Sequence, residues 1–221
     1  MSGEETYNSR DHGAIMNPPA YLEYGKPEKL QEMLGITTPI AVAMGGVVSF
    51  SAAIEYHLER YIWALLHIDP AGTRPPTDAK QITELLNMLA DHIEVMDVTD
   101  GRKMLETWCR AARSAFKIRN DLVHGLPVKM EDSVTFNRNP AWHGETRKRP
   151  YSDFWADEHN TTLVRDGMAV LFRMIVELQT KRYKLEDLAN MKTAMSAVRD
   201  AASILGELED RMAYNPTFEK Y

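Results

Sequence analysis

Arg119-Asn120-Asp121-Leu122-Val123-His124-Gly125 closes a long run of helical periodicity, and the rest of the chain is organised around it. Upstream, apolar side chains fall at Leu105, Trp108, Cys109, Ala112, Phe116, Leu122 and Val123, a spacing that sweeps one helical face past a core every three or four residues. Gly125 supplies a C′ position and Pro127 forbids continuation, so the helix is expected to stop at His124. Arg119 falls on the apolar stripe, three residues after Phe116 and four before Val123. A charge in that position must be paired or face a polar pocket. Asn120 and His124 are four apart and hence neighbours on the helix surface. Chemistry is therefore expected where Arg119, Asn120 and His124 crowd together.

The pattern Arg-Asn-x-x-x-His, here Arg119-Asn120 and His124 within Arg-Asn-x-Leu-Val-His-Gly, resembles the signature of HEPN domains. These are all-helical modules, many of them metal-independent ribonucleases. The looser likeness of the flanking helical stretches extends over roughly Pro39 to Lys184. The resemblance implies an all-α, HEPN-like bundle of five or six helices that acts as a homodimer, with two motifs facing one cleft. HEPN proteins paired with nucleotidyltransferases often carry tyrosine two places after the histidine. Leu126 stands there in this chain, which excludes modification of a tyrosine at that place.

With 221 residues, 44% hydrophobic and 26% charged, the chain is expected to form one globular domain with embellishments. A single cysteine, Cys109, excludes an intramolecular disulfide framework and favours a reducing, cytoplasmic setting; its helical position reads as core. The net charge of -6 argues against general nucleic-acid binding, but its distribution does not. Residues 101–150 hold eleven Lys/Arg against five Asp/Glu, or +6, leaving -12 for the remainder. A polyanion would be drawn to the motif rather than elsewhere. No secretory signal is visible at the acidic, polar N-terminus. Leu34 to Ile54 is free of charges, but its glycines, hydroxyls and charged continuation read as a buried helix rather than a membrane span.

Residues 1–38 read as an N-terminal arm with one short helix from Pro27 to Leu34, and residues 39–221 as a single bundle. Thr38-Pro39 is a helix start, and the helix should reach about His67 with Phe50, Ile54, Leu58, Ile62 and Leu65 as its core stripe. Gly45-Gly46 inside it costs roughly 1 kcal/mol per glycine and marks a bend or a close approach. Glu55, beside the stripe, is the expected partner that orients Arg119. Prolines and glycine over Asp69 to Thr77 form a loop, after which Thr77 or Asp78 caps a helix carrying Leu85, Leu86, Leu89 and Ile93. Asp91, Glu94 and Asp97 share a face of that helix, but no Glu-x-x-His or His-x-x-x-His pair completes a familiar metal site. Asp100-Gly101 reads as a turn before the motif helix.

Residues 128–160 read as a loop or hairpin insertion, with one short strand at Ser133 to Phe136. Arg138, Arg147, Lys148 and Arg149 are interleaved there with Phe136, Trp142, Tyr151, Phe154 and Trp155. Basic residues among aromatics suit single-stranded RNA; alternatively the aromatics pin the loop to the bundle. Asn160 or Thr161 should open the next helix, and 185–213 the last, whose regular stripe fits either the bundle or a second subunit.

If the site cuts RNA without a metal or other cofactor, the ribose 2′-OH attacks. A base must take its proton, an acid must protonate the leaving 5′-oxygen, and a cation must steady the phosphorane. Histidine serves in either proton role near neutrality, and arginine gives a bidentate phosphate contact. The competing class is a non-catalytic helical scaffold, or an antitoxin-like module embracing a protein partner. The chain has no Walker loop, Gly-x-Gly-x-x-Gly, His-Glu-x-x-His or Gly-x-Ser-x-Gly.

Overall fold

In a computed structural model, which describes residues 19–131, 133–180, 185 and 188–212, the chain is a helical bundle carrying one small sheet. The expectations for residues 1–18 and for the last residue of the C-terminal helix lie outside the described residues. Two short helices come first, α1 (Ala20–Gly25) and α2 (Pro27–Met33), neither with a buried residue. The bundle is α3 (Thr38–Leu65), α4 (Ile82–Glu94), α5 (Asp100–His124), α6 (Glu158–Gln179) and α7 (Leu188–Met212). Between α5 and α6 lie β1 (Leu126–Lys129), β2 (Val134–Arg138) and β3 (Ser152–Ala156).

The motif helix α5 is central. It packs chiefly on α7 and also touches α3, α4, α6, β2 and β3. Its stripe is buried at Met104, Leu105, Trp108, Cys109, Ala112, Phe116 and Leu122, each large side chain contributing about 1.5–3 kcal/mol of transfer free energy. The Trp108 indole N–H donates to the Leu171 carbonyl oxygen at 3.0 Å, tying α5 to α6 inside the core. Burial pushes the Cys109 thiol up to about 12, as fits a core residue. Val123 departs from the stripe: it is 39% exposed, because it lies one position further round the helix than the buried Leu122 and faces away from the core. The regular stripe of α7 packs on α5 and α6 of its own chain, with Met191, Val198, Ala202, Leu205 and Leu208 buried.

Helix starts differ from the expected ones wherever a nearby side chain caps better. Thr37, not Thr38, accepts from the Ile40 N–H and caps α3. Gln81 caps α4 in a reciprocal box with Glu84, while Thr77 is buried and accepts the Trp63 indole N–H at 2.7 Å. Asp157 caps α6, accepting from the Asn160 N–H at 2.6 Å. Asp100-Gly101 is the first turn of α5 rather than a turn before it, with Thr99 as cap. A Cβ on Gly101 would lie 2.7 Å from the Leu185 carbonyl oxygen, so the glycine admits the chain leading into α7.

Residues 128–160 hold more than one short strand or a lone hairpin, with 139–151 between β2 and β3 as an irregular loop. The three strands form an antiparallel sheet in the order β1-β2-β3, with Leu126 opposite Asn137 and Asn137 opposite Asp153. Alternation puts Val134, Phe136, Phe154 and Ala156 against the bundle. Gly125 does end the helix, but in an extended conformation rather than a left-handed one. A Cβ there would lie 2.5 Å from the Asp121 carbonyl oxygen and 3.0 Å from Phe136, so the glycine lets β2 lie against the helix end. Gly125→Ala is expected to cost about 1–3 kcal/mol through overpacking, read as a lower midpoint in urea with an unchanged slope.

The charge-free stretch is half-buried rather than buried. One face of α3 packs mainly on α6 through Ile40, Val47, Ile54, Leu58 and Ile62. Arg165 of α6 runs its stem across Gly46. The other face leaves Val42, Gly45, Ser49, Ala52 and Tyr56 exposed. By length and composition α3 is also apolar enough to cross a membrane.

Candidate active site at the end of the motif helix

The last two turns of α5 carry the whole motif. Arg119 and Asn120 are half-buried, and an Arg119 guanidinium N–H donates to Asn120 Oδ1 at 3.0 Å. Arg119 Nε is buried with no hydrogen-bond partner among the described residues, so this arginine keeps donor capacity that a neutral amide cannot fill. Glu55 on α3 is its acidic neighbour: burial raises the Glu55 carboxyl from its usual 4.5, and the Arg119 charge pulls it back. The two do not close into an ion pair among the described residues. His124 ends the helix, exposed and without a hydrogen-bond partner among the described residues.

The motif carboxylate is turned away from this surface. Asp121 is fully buried, its Oδ1 lies 2.8 Å from Arg138 Nε, and Ser152 Oγ donates to its Oδ2. Burial raises the Asp121 carboxyl above its usual 3.8, while the Ser152 hydrogen bond and the Arg138 charge oppose that rise. The sequence places Arg138 among the RNA-binding residues; in the structure it reaches back to the helix end and fastens β2 to it. An isolated buried carboxylate would be costly, and the cation that reaches this one stands at the end of the neighbouring strand. The sequence signal for this pair is Asp121 itself, a charge on a helix turn whose neighbours Ile118 and Leu122 are both buried.

The remaining basic residues stay on the surface. Arg147 pairs with Glu145 at 2.6 Å, and Lys148 and Arg149 are exposed in the β2–β3 loop, as is Trp142 at 57%. Of the interleaved aromatics, Phe136 and Phe154 pin the sheet to the bundle, whereas Trp155 joins Trp142 in solvent at 54% exposure. Trp155 is not among the site residues expected from sequence, because strand alternation decides its face and β3 carries too little pattern to be anticipated.

Asp91, Glu94 and Asp97 do not gather into a metal site; among the described residues no group of three potential ligands does. The open cleft between α2 and the β1–β2 turn is lined by Glu28, Glu32, Lys129 and Glu131, among others, and holds no motif residue.

Glu55→Gln gives a pH test of the arrangement around Arg119. Because burial raises the Glu55 carboxyl, the folded chain binds that proton more tightly than the unfolded one. Wild-type stability relative to the variant should therefore rise as pH falls from 7 toward 4.5, the usual glutamate value, and Glu55→Gln should melt at the same or a higher temperature at pH 7. A wild-type advantage that grows with rising pH would mean a tight Glu55–Arg119 pair instead. Thermal melts of both proteins over that pH range decide it.

No family model, curated protein or solved structure matches the chain.

Proposed function

We propose that this chain is a HEPN-like, metal-independent endoribonuclease of a toxin or defence type, working in the cytoplasm as a homodimer whose two motifs share a cleft. The observation that carries this reading is the grouping at the end of α5. A half-buried arginine with an unfilled donor, an asparagine hydrogen-bonded to it and an exposed histidine occupy two turns, while the intervening carboxylate is withdrawn and faces a cation. Arginine and asparagine would hold the scissile phosphate, and an anion there would meet no competing charge from Asp121.

In the reaction the 2′-oxygen forms a bond to phosphorus as the bond to the 5′-oxygen breaks. One neutral imidazole takes the 2′-OH proton and a protonated one gives a proton to the departing oxygen, leaving a 2′,3′-cyclic phosphate and a 5′-OH. One chain supplies one His124, so the second comes from a partner copy. Support for that copy lies on α3, where the exposed Val42, Gly45, Ser49, Ala52 and Tyr56 repeat at alternating intervals of three and four, the spacing of a coiled-coil seam. Glu55, facing Arg119, adjoins Tyr56 at the margin of this seam.

The test is expression in a bacterial host together with cleavage of total RNA by purified protein. Wild type should halt growth and cut RNA with or without EDTA, and His124→Ala should do neither. Exposed apolar side chains on the arm favour a second reading, a scaffold or antitoxin-like partner module: Tyr21, Tyr24 and Met33 on α1 and α2 are all largely exposed. A wild-type protein that folds, dimerises and leaves RNA intact would select it.

A further inference from the structure

The face of the sheet turned away from the bundle carries two rows of side chains, Leu126–Asn137–Asp153 and Val128–Thr135–Trp155. The first row crosses three strands, about 10 Å at the usual strand spacing. It begins two residues after His124, so this face starts where the motif helix stops. Leu126 and Trp155 are both about half exposed, at 50% and 54%. Asn137 Oδ1 accepts the Tyr151 hydroxyl at 2.5 Å, the same hydroxyl lies 3.4 Å from Asp153 Oδ2, and Trp155 gives a side-chain hydrogen bond to Asp153. Asp153 is the one acid in the two rows; burial raises its carboxyl from the usual 3.8, and its hydrogen bonds oppose that rise. Thr135 Oγ1, in the middle strand between Val128 and Trp155, is buried with no hydrogen-bond partner among the described residues.

Beyond one end of the rows lies the β2–β3 loop, with exposed Trp142 and the cations Arg147, Lys148 and Arg149 against one acid, Glu145. In a chain of net charge -6 this is a local positive edge beside a face with one acid and an exposed indole. We infer that the outer face of the sheet is a docking track for single-stranded RNA, with Trp155 and Trp142 stacking bases and Lys148 and Arg149 meeting phosphates. Stacking on exposed indoles combined with neutralisation at a basic edge is the general chemistry of single-strand binding. The track leads past Leu126 toward His124. Cleavage of the docked strand rests on the ribonuclease reading; binding to the track does not.

The test uses the full chain carrying His124→Ala, so that the probe survives, and a fluorescein-labelled 12-residue oligouridylate read by anisotropy. Trp155→Ala should weaken binding about tenfold, the loss of one stacked base, and Trp155→Phe should restore most of it. Lys148→Glu with Arg149→Glu should weaken binding and flatten its salt dependence, whereas Lys192→Glu on α7 should change nothing. Melting of each variant verifies folding. Equal affinity of Trp155→Ala and its parent, or equal affinity for duplex RNA, would overturn the track. A Trp155 emission that shifts with protein concentration in the absence of RNA would assign the face to a second copy and overturn it too. Wild type that binds the oligonucleotide without cutting any RNA removes the nuclease reading and leaves the track standing. Cutting with Trp155→Ala binding undiminished does the reverse.

Discussion

Mixing His124→Ala chains with wild-type chains is expected to lower RNA cleavage as the square of the wild-type fraction. A 2′-OH attack needs a base and an acid in the same transition state, and each chain offers one exposed histidine at the motif. A mixed dimer then lacks one of the two and should be slower by roughly a hundred- to ten-thousandfold, the usual contribution of one general acid or base. Chains are co-refolded at varied ratios, and light scattering on the same samples reports whether they are dimers. A linear fall would mean that each subunit works alone and that the shared cleft is mistaken. Chelator should leave every point on the curve unchanged; lost activity in EDTA would reveal a metal requirement.

Removing Arg138 should be the most damaging single change to stability around the motif. Arg138→Met leaves the fully buried Asp121 carboxylate without its cation, while the Ser152 hydroxyl still donates to it. The expected loss at pH 7 is about 3 kcal/mol, the low end for a broken buried pair, since Arg138 keeps 22% of its side chain in water. The sign with pH follows from Asp121. Burial already raises its carboxyl above 3.8 in the wild type, and loss of Arg138 raises it further. The folded variant then takes up a proton at a pH where the unfolded chain has not, so its deficit should shrink as pH falls toward 3.8 and grow as pH rises. Asp121→Asn placed on Arg138→Met should recover most of the loss, because a neutral amide needs no counter-charge. Urea melts of the four proteins complete the cycle. A contact made only to RNA would leave the stability of Arg138→Met unchanged, so the same melts separate the two roles proposed for this arginine.

The helices were legible in the sequence because their signal is local. A stripe such as Leu105, Trp108, Cys109, Ala112 and Phe116 repeats within single turns, and Gly125 with Pro127 ends it at His124, as found. The same locality placed Arg119, Asn120 and His124 in the last two turns of one helix, with Asn120 and His124 four apart and so neighbours on its surface. Glu55 as the acidic neighbour of Arg119 was also reachable, from a carboxylate placed beside a core stripe.

What only the tertiary structure decided depends on pairing across long stretches of chain. β2 pairs with β3 over the loop that carries Trp142 and Arg149, and two five-residue strands carry too little pattern to announce a sheet. That sheet in turn settles which aromatics are core, Phe136 and Phe154, and which face water, Trp155. It also turns Arg138 from a free cation into the partner of Asp121. Caps moved from Thr38 to Thr37 and from Thr77 to Gln81 because a hydroxyl or amide near a helix start has several backbone donors to choose from. The periodicity of α7 fitted either the bundle or a second subunit, and its burial against α5 and α6 settled the choice. Helical order here comes from neighbours in sequence; the fate of each charge and indole comes from neighbours in space.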